Sequence, residues 1–580
     1  MFLFLIFLSL LFPKLSLAND NYALKETINY QVDHRGQATV NHQIQITNLK
    51  AETYLQGYEL NISGYQIDKL SATDGTNNIL DQFKSDNNHH QIKLKLSHPK
   101  VGLSQQNNLT LNYHIKDFAK HKGKTWEIVI PQISDNLSSE VNISTPDNFG
   151  PLSFASIPVV FKNEPPYNLI SFTRHPGKSN LIILGNYQLF DFNLRYFLKN
   201  NHSSPATAEI AIIPDTHSQA VFYRQIDPPP QNIHPDADGN WLATYQLKAG
   251  QELSITASGQ VKTGLNLGSS LPNPENYLLD QTFWPVSDPK FTTISQDFSG
   301  PKSIYDFVVK TLDYNYDRFN SSVGRLGALA AMDDPKNALC TEFTDLFITI
   351  ARQQKIPARE IQGFAYTNNP KMKPVGNEGD ILHAWPEYYD FQKQQWLAID
   401  PTWEKTTGGI DYFNKLDLNH ITFVTHGLNS QQPLPPGAYP HPDGSQSLNI
   451  TFAKEELISQ QPLPQVSLAK NQLILENPTP NAIKGLYISI PNLNYTHDTD
   501  TILPYSTVSL ALPKINFLTT LSPNYQKIGV ILKNSENRQS QTSLFYLPHF
   551  INLGTLIILA LIILTLGGIM ITSKKYEKNS

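Results

Sequence analysis

Asn337-Ala338-Leu339-Cys340-Thr341-Glu342-Phe343-Thr344-Asp345-Leu346-Phe347-Ile348-Thr349-Ile350 is the stretch from which the rest of the chain is placed. Phe343, Leu346, Phe347 and Ile350 recur at the spacing of one helix face. Pro357 sets the limit of that helix. Upstream, Ile304, Phe307, Val308 and Leu312 repeat the pattern. Downstream, short apolar runs over 361–366, 383–389 and 396–399 read as strands. Helices followed by strands predict an α+β domain. Asn337 suits an N-cap, which puts Cys340 in the first helical turn.

Cys340 is the single cysteine among 580 residues. In an exported chain, a leftover cysteine is an intermolecular bridge or a reactive group. Export is expected from the ends of the chain. Residues 1–12 form an apolar run, and Ser16-Leu17-Ala18 offers small residues for cleavage, so 1–18 reads as a signal peptide. From Ile551 to Thr572 there is no charged residue, and Lys574, Lys575 and Lys578 follow. That pattern predicts a transmembrane helix over 551–572, with a basic cytoplasmic tail over 573–580. The expected location is the cell membrane, single-pass, with the bulk of the chain extracytoplasmic.

Composition narrows the classes. Hydrophobic content of 40% and charged content of 16% fit folded domains rather than disorder. A net charge of −5 without an internal basic run excludes nucleic acid as the expected partner. The length predicts three or four domains at about 150 residues each.

Period-two alternation dominates the first half. Ala38, Val40, Ile44 and Ile46 alternate with polar residues, as do Ile92, Leu94 and Leu96, then Leu109, Leu111, Tyr113 and Ile115. Asp236-Ala237-Asp238-Gly239-Asn240 before Trp241 marks a hairpin. Residues 19–265 therefore read as a β-sandwich region of two units. The α+β domain takes 273–430, a Pro-rich linker 431–465, and a small β-sandwich 466–546. Adjacent His89 and His90 point to opposite faces of a strand and do not make a shared metal site.

His383 and Asp400 fall on neighbouring expected strands joined by a turn at Phe391-Gln392-Lys393-Gln394. Antiparallel pairing brings the side chains together. Thiol, imidazole and carboxylate in one chain are the parts of an activated nucleophile. A helix N-terminus favours a thiolate and offers N–H groups to an oxyanion. Cys340, His383 and Asp400 are the candidate catalytic residues. Arg359 and Glu387 read as structural partners, Trp385 and Trp403 as core, and Tyr314 and Tyr316 as packing. His420 has no evident role. No metal or cofactor is expected, since Asp333-Asp334 is too little for a calcium site.

Four segments carry a family resemblance: Cys340-Thr341-Glu342-Phe343, then Ile356-Pro357-Ala358-Arg359-Glu360-Ile361-Gln362-Gly363-Phe364, then His383-Ala384-Trp385-Pro386-Glu387-Tyr388-Tyr389, and Trp396-Leu397-Ala398-Ile399-Asp400-Pro401-Thr402. In this order they resemble the transglutaminase-like superfamily, with its papain-like Cys-His-Asp fold. The flanking regions resemble membrane-anchored surface members of bacterial type. Family members often have glycine two positions before the cysteine, where this chain has Ala338. The resemblance implies acyl transfer through a thioester on Cys340, with His383 as base and then acid and Asp400 orienting it. The expected substrate is a glutamine or other amide of a protein or peptide, attacked by an amine or by water. The alternative is a non-catalytic surface scaffold or binding protein using the same domain.

Overall fold

The computed structural model describes residues 16–19, 21–133, 138–177, 180–264, 274–320, 324–366, 382–413, 415–439, 442–444, 447–457, 461–469, 472–513, 526–546 and 553–577. The expected signal peptide falls mostly on residues 1–15, which lie outside this set. Ser16–Asn19 is a strand that pairs with Tyr22–Val32.

The alternating strands build a layered N-terminal unit. Tyr22–Val32 and Ala38–Asn48 pair antiparallel over their full lengths. They sit in an eight-stranded sheet facing smaller four-stranded sheets. Ile28, Val40, Ile44, Leu111, Tyr113 and Ile143 fill the layer between. The hairpin turns at Gly36, whose φ of +81 suits glycine; a Cβ there would lie 2.1 Å from the Ala119 carbonyl oxygen. His90 is buried and bonded to the Tyr65 carbonyl at 2.7 Å, whereas His89 is exposed.

A second β unit follows. Gln188–Lys199, Gln219–Asp227 and Glu252–Thr263 share one sheet with Leu448–Phe452. A strand thus stands inside the stretch read as linker. Ala206–Ile212, Trp241–Leu247 and Asn232–Pro235 form the facing sheet. The core between them includes Ile421 and Phe423, so this sandwich is continuous with the strand that follows Asn419.

Helices α1 (Pro289–Ile294), α2 (Pro301–Thr311), α3 (Gly327–Asp333), α4 (Cys340–Gln353) and α5 (Pro401–Thr406) pack with a four-stranded antiparallel sheet. Its strand order is Gln395–Ala398, His383–Asp390, Ala358–Ala365, His420–His426. Helix α4 is the buried axis: Phe343, Leu346, Phe347 and Ile350 are inaccessible to solvent. Even Arg352 is enclosed, donating to the carbonyls of Ala358 at 2.9 Å and Gly427 at 2.8 Å. At that depth its donors require such partners. Beyond this domain, two further sheets enclose Leu473, Leu475, Ile488, Val530 and Leu532.

The C-terminal apolar run does not carry the transmembrane helix expected over 551–572. It forms helix α6, Leu553–Glu577. Among the described residues, however, no helix is long and apolar enough to cross a membrane. The expectations that depended on the span are corrected with it: the single-pass anchor, the membrane as a partner, and the cell-membrane location with a cytoplasmic C-terminus.

Candidate active site

Cys340 is the first residue of α4, and extended Leu339 is the N-cap. Asn337 does not cap the helix. Its side chain accepts from Asn315 Nδ2 at 3.0 Å, and its carbonyl accepts from Arg318 Nη1 at 2.8 Å. The cap comes from within the helix. Glu342, fully buried, accepts the Leu339 N–H at 2.8 Å and the Leu326 N–H at 2.8 Å. Arg318 neutralises it through a two-pronged contact, Nη1 to Oε2 at 2.8 Å and Nη2 to Oε1 at 3.2 Å. This geometry fixes the helix start. The loop before it is held by Asn315 N–H donating to the Ala338 carbonyl at 2.9 Å. Tyr314 bridges Ala338 there, and its phenol is raised by burial and by the neighbouring Cys340. Cys340 itself is only half-buried.

His383 opens its strand opposite Gly363. A Cβ at Gly363 would lie 2.0 Å from the Ile421 carbonyl oxygen and 2.9 Å from the Trp385 ring. Glycine is what lets the Trp385 ring lie across that strand. Asp400 is not on the neighbouring strand, as the sequence suggested. That strand ends at Ala398, and Asp400 is the N-cap of α5, with Pro401 at the first helical position. Its Oδ1 accepts the Trp403 N–H at 2.9 Å. Its Oδ2 lies 2.7 Å from His383 Nε2. The other ring nitrogen, Nδ1, remains for Cys340, which lies near enough to help raise the imidazole.

Burial disfavours the charged imidazole. The charge and hydrogen bond of Asp400, and then the contact with Cys340, outweigh it and hold His383 up to about 9. Burial likewise disfavours the Asp400 carboxylate, but His383 and then His420 bring it down to about 2.

His420, which the sequence left without a role, closes the cluster. Its Nε2 lies 3.3 Å from Asp400 Oδ2 and its Nδ1 2.8 Å from Asp417 Oδ1. Burial opposes its charge, but Asp417 and then Asp400 push it up to about 9. Its position three residues after Asp417 could have flagged that pairing; its contact with Asp400 depends on the sheet order.

Trp385 and Trp403 flank His383, with ring centres 5.7 and 5.6 Å away. Arg359 donates to Glu387 at 2.8 Å and stacks over Trp396, so both hold the sheet rather than reach Cys340. A second buried ionic network, Arg325 with Asp345 and Glu360, ties α4 to the sheet, and His426 joins it at 2.9 Å from Glu360. The loop expected over 367–379 lies outside the described residues.

The ligand atoms of His383, Asp400 and His420 lie within 4.8 Å of one another, which a metal ion could bridge among the described residues. The donor set favours protons instead. Both Nε2 atoms face one carboxylate oxygen at hydrogen-bond distance, and His420 Nδ1 faces a second carboxylate. A metal would need lone pairs on both Nε2 atoms.

Residues 288–401 match the family model of the transglutaminase-like superfamily. The match holds Cys340, His383 and Asp400 and stops short of His420. No curated protein matches the chain in sequence. Among solved structures, a candidate cysteine protease from Cytophaga hutchinsonii is similar over 62% of this chain and 98% of its own, at 13% identity and a TM-score of 0.31. A candidate nutrient-binding protein from Legionella pneumophila covers 30% of this chain and 70% of its own, at 9% identity and a TM-score of 0.21. An M1 zinc metallopeptidase from Deinococcus radiodurans covers 33% and 47%, at 15% identity and a TM-score of 0.20. Scores this low carry no argument about chemistry. The segment 288–401 is transglutaminase-like.

Proposed function

We propose that the chain is a thiol acyltransferase or amide hydrolase acting on protein or peptide amides through a thioester on Cys340. One observation carries the reading: His383 Nε2 lies 2.7 Å from Asp400 Oδ2, and Cys340, at the start of α4, lies near enough to help raise the imidazole. His383 Nδ1 takes the thiol proton to give a thiolate–imidazolium pair, and Sγ of that pair attacks the amide carbonyl carbon. The tetrahedral oxyanion meets N–H groups at the start of α4. His383 returns the proton to the leaving nitrogen, which departs as ammonia or an amine and leaves the thioester. A second amine or water then gives its proton to His383, attacks the thioester, and restores the thiol. Asp400 holds the imidazole with Nδ1 toward sulfur and stabilises it when charged.

The test incubates the chain and its Cys340→Ala form with a glutamine-containing protein, casein, and a labelled primary amine. Amine incorporation by the wild type only supports acyl transfer to amines. Deamidation or cleavage by the wild type only supports hydrolysis. Equal outcomes in both proteins, with an inert Cys340, point to a non-catalytic scaffold.

A further inference from the structure

We infer that His420 is a positioning residue of the proposed reaction: held as an imidazolium between Asp417 and Asp400, it draws on the charge of Asp400 and so makes His383 a readier proton donor. The inference rests on the Cys340, His383 and Asp400 roles proposed above, and His420 lies outside the segment that matches the family model.

Carboxylate oxygens of ionised acids only accept hydrogen bonds. His420 presents Nδ1 to Asp417 at 2.8 Å and Nε2 to Asp400 at 3.3 Å. Filling both contacts takes a proton on each ring nitrogen, hence a positive ring. The side chains of His420, Asp417 and Asp400 are 2%, 3% and 0% exposed, so water screens these charges little.

The groups facing His420 come from four directions. The His383 strand offers His383 and Trp385, whose ring stands edge-on at 5.0 Å. Helix α5 brings Trp403 at 4.6 Å, with Asp400 at its cap. The segment after α5 brings Tyr412 at 6.3 Å and Asp417. The N-terminal unit brings Glu127, which accepts from Asn419 Nδ2 at 3.4 Å and is paired with Lys122.

Two imidazoles therefore share one carboxylate oxygen, with ring centres 5.9 Å apart. With Asp400 to itself, His383 would hold its proton tightly and release it poorly to a leaving amine. A second positive ring at that distance weakens its hold by on the order of one pH unit. Asp417 keeps the second ring charged and in place.

The experiment follows the rate of Cys340 alkylation by iodoacetamide from pH 4 to 10 in the full chain, for wild type, His420→Gln and His420→Asn. Either amide can still donate to Asp400 but carries no charge, and two variants guard against one that does not fold. The wild-type profile is expected to show an upper inflection where His383 loses its proton. In the variants that inflection moves up by about one pH unit. A wild-type inflection that stays put or moves down in folded variants overturns this inference alone. Its absence from the wild type overturns both the inference and the proposed roles beneath it. One equivalent of zinc retained by the dialysed wild type and lost from the variants also overturns the inference, since the cluster would then be a metal centre.

Discussion

Asp400 serves His383 and its own helix with different oxygens: Oδ2 lies 2.7 Å from His383 Nε2, while Oδ1 caps α5 through the Trp403 N–H at 2.9 Å. A residue with two duties can have them separated by substitution. Asp400→Asn keeps a cap acceptor and loses the charge that steadies His383. Activity is expected to fall by about 10⁴-fold, and the melting temperature to fall by the stability that the ion pair supplies. Asp400→Ala removes the cap as well and is expected to cost about 1 kcal/mol more. Steady-state rates and thermal melts on the two variants separate the effects; equal destabilisation by both contradicts the capping role.

The same pair sets a pH window. Asp400 is depressed to about 2, so its contribution is full above its unfolded value of about 3.9 and is lost as pH falls through about 2. His383 is raised to about 9, so its contribution is full below its unfolded value of about 6.5 and is lost as pH rises through about 9. The two shifts describe one contact and count once. Stability from this contact is expected to plateau between about pH 4 and 6.5 and to decline toward 9. Thermal melts of wild type against His383→Gln should converge above pH 9; parallel curves across the range contradict the assignment.

Arg318 is predicted to matter to Cys340 without touching substrate. It neutralises buried Glu342, which in turn caps α4. Arg318→Ala leaves an unpaired charge in the core and is expected to destabilise by about 3 kcal/mol. Denaturant unfolding monitored by tryptophan fluorescence checks this. A loss below about 0.5 kcal/mol, the range of an exposed surface change, means that Glu342 is stabilised some other way.

At Gly363, one added methyl meets the Ile421 carbonyl oxygen and the Trp385 ring. Gly363→Ala is expected to cost about 1–3 kcal/mol and to lower activity, because Trp385 and the paired His383 must shift. Normal activity and stability together would show that the strands yield without cost.

The sequence made the helix of Phe343 and Ile350 legible because a buried axial helix must be apolar at three-and-four spacing. The Ala38–Asn48 strand was legible because one face of it meets a core. The nearness of His383 to Asp400 was legible, but its geometry was not: Asp400 stands on a helix cap, where Pro401 starts a turn that a strand reading passes over. The Glu342 cap and the His420 contact were hidden because each depends on a partner distant in sequence, Arg318 for one and Asp400 for the other. The apolar run at 551–572 reads as a span by composition, but among the described residues no helix is long and apolar enough to cross a membrane.

The central claim is that Cys340 and His383 act as one unit, and the most direct test needs no substrate. The rate of Cys340 modification by iodoacetamide at pH 6 is compared between wild type and His383→Ala, with both shown to be folded. The expected result is modification at least about 10-fold faster in the wild type, because the charged imidazole beside Cys340 stabilises the negative charge on the attacking sulfur. Equal rates in the two proteins would contradict the account.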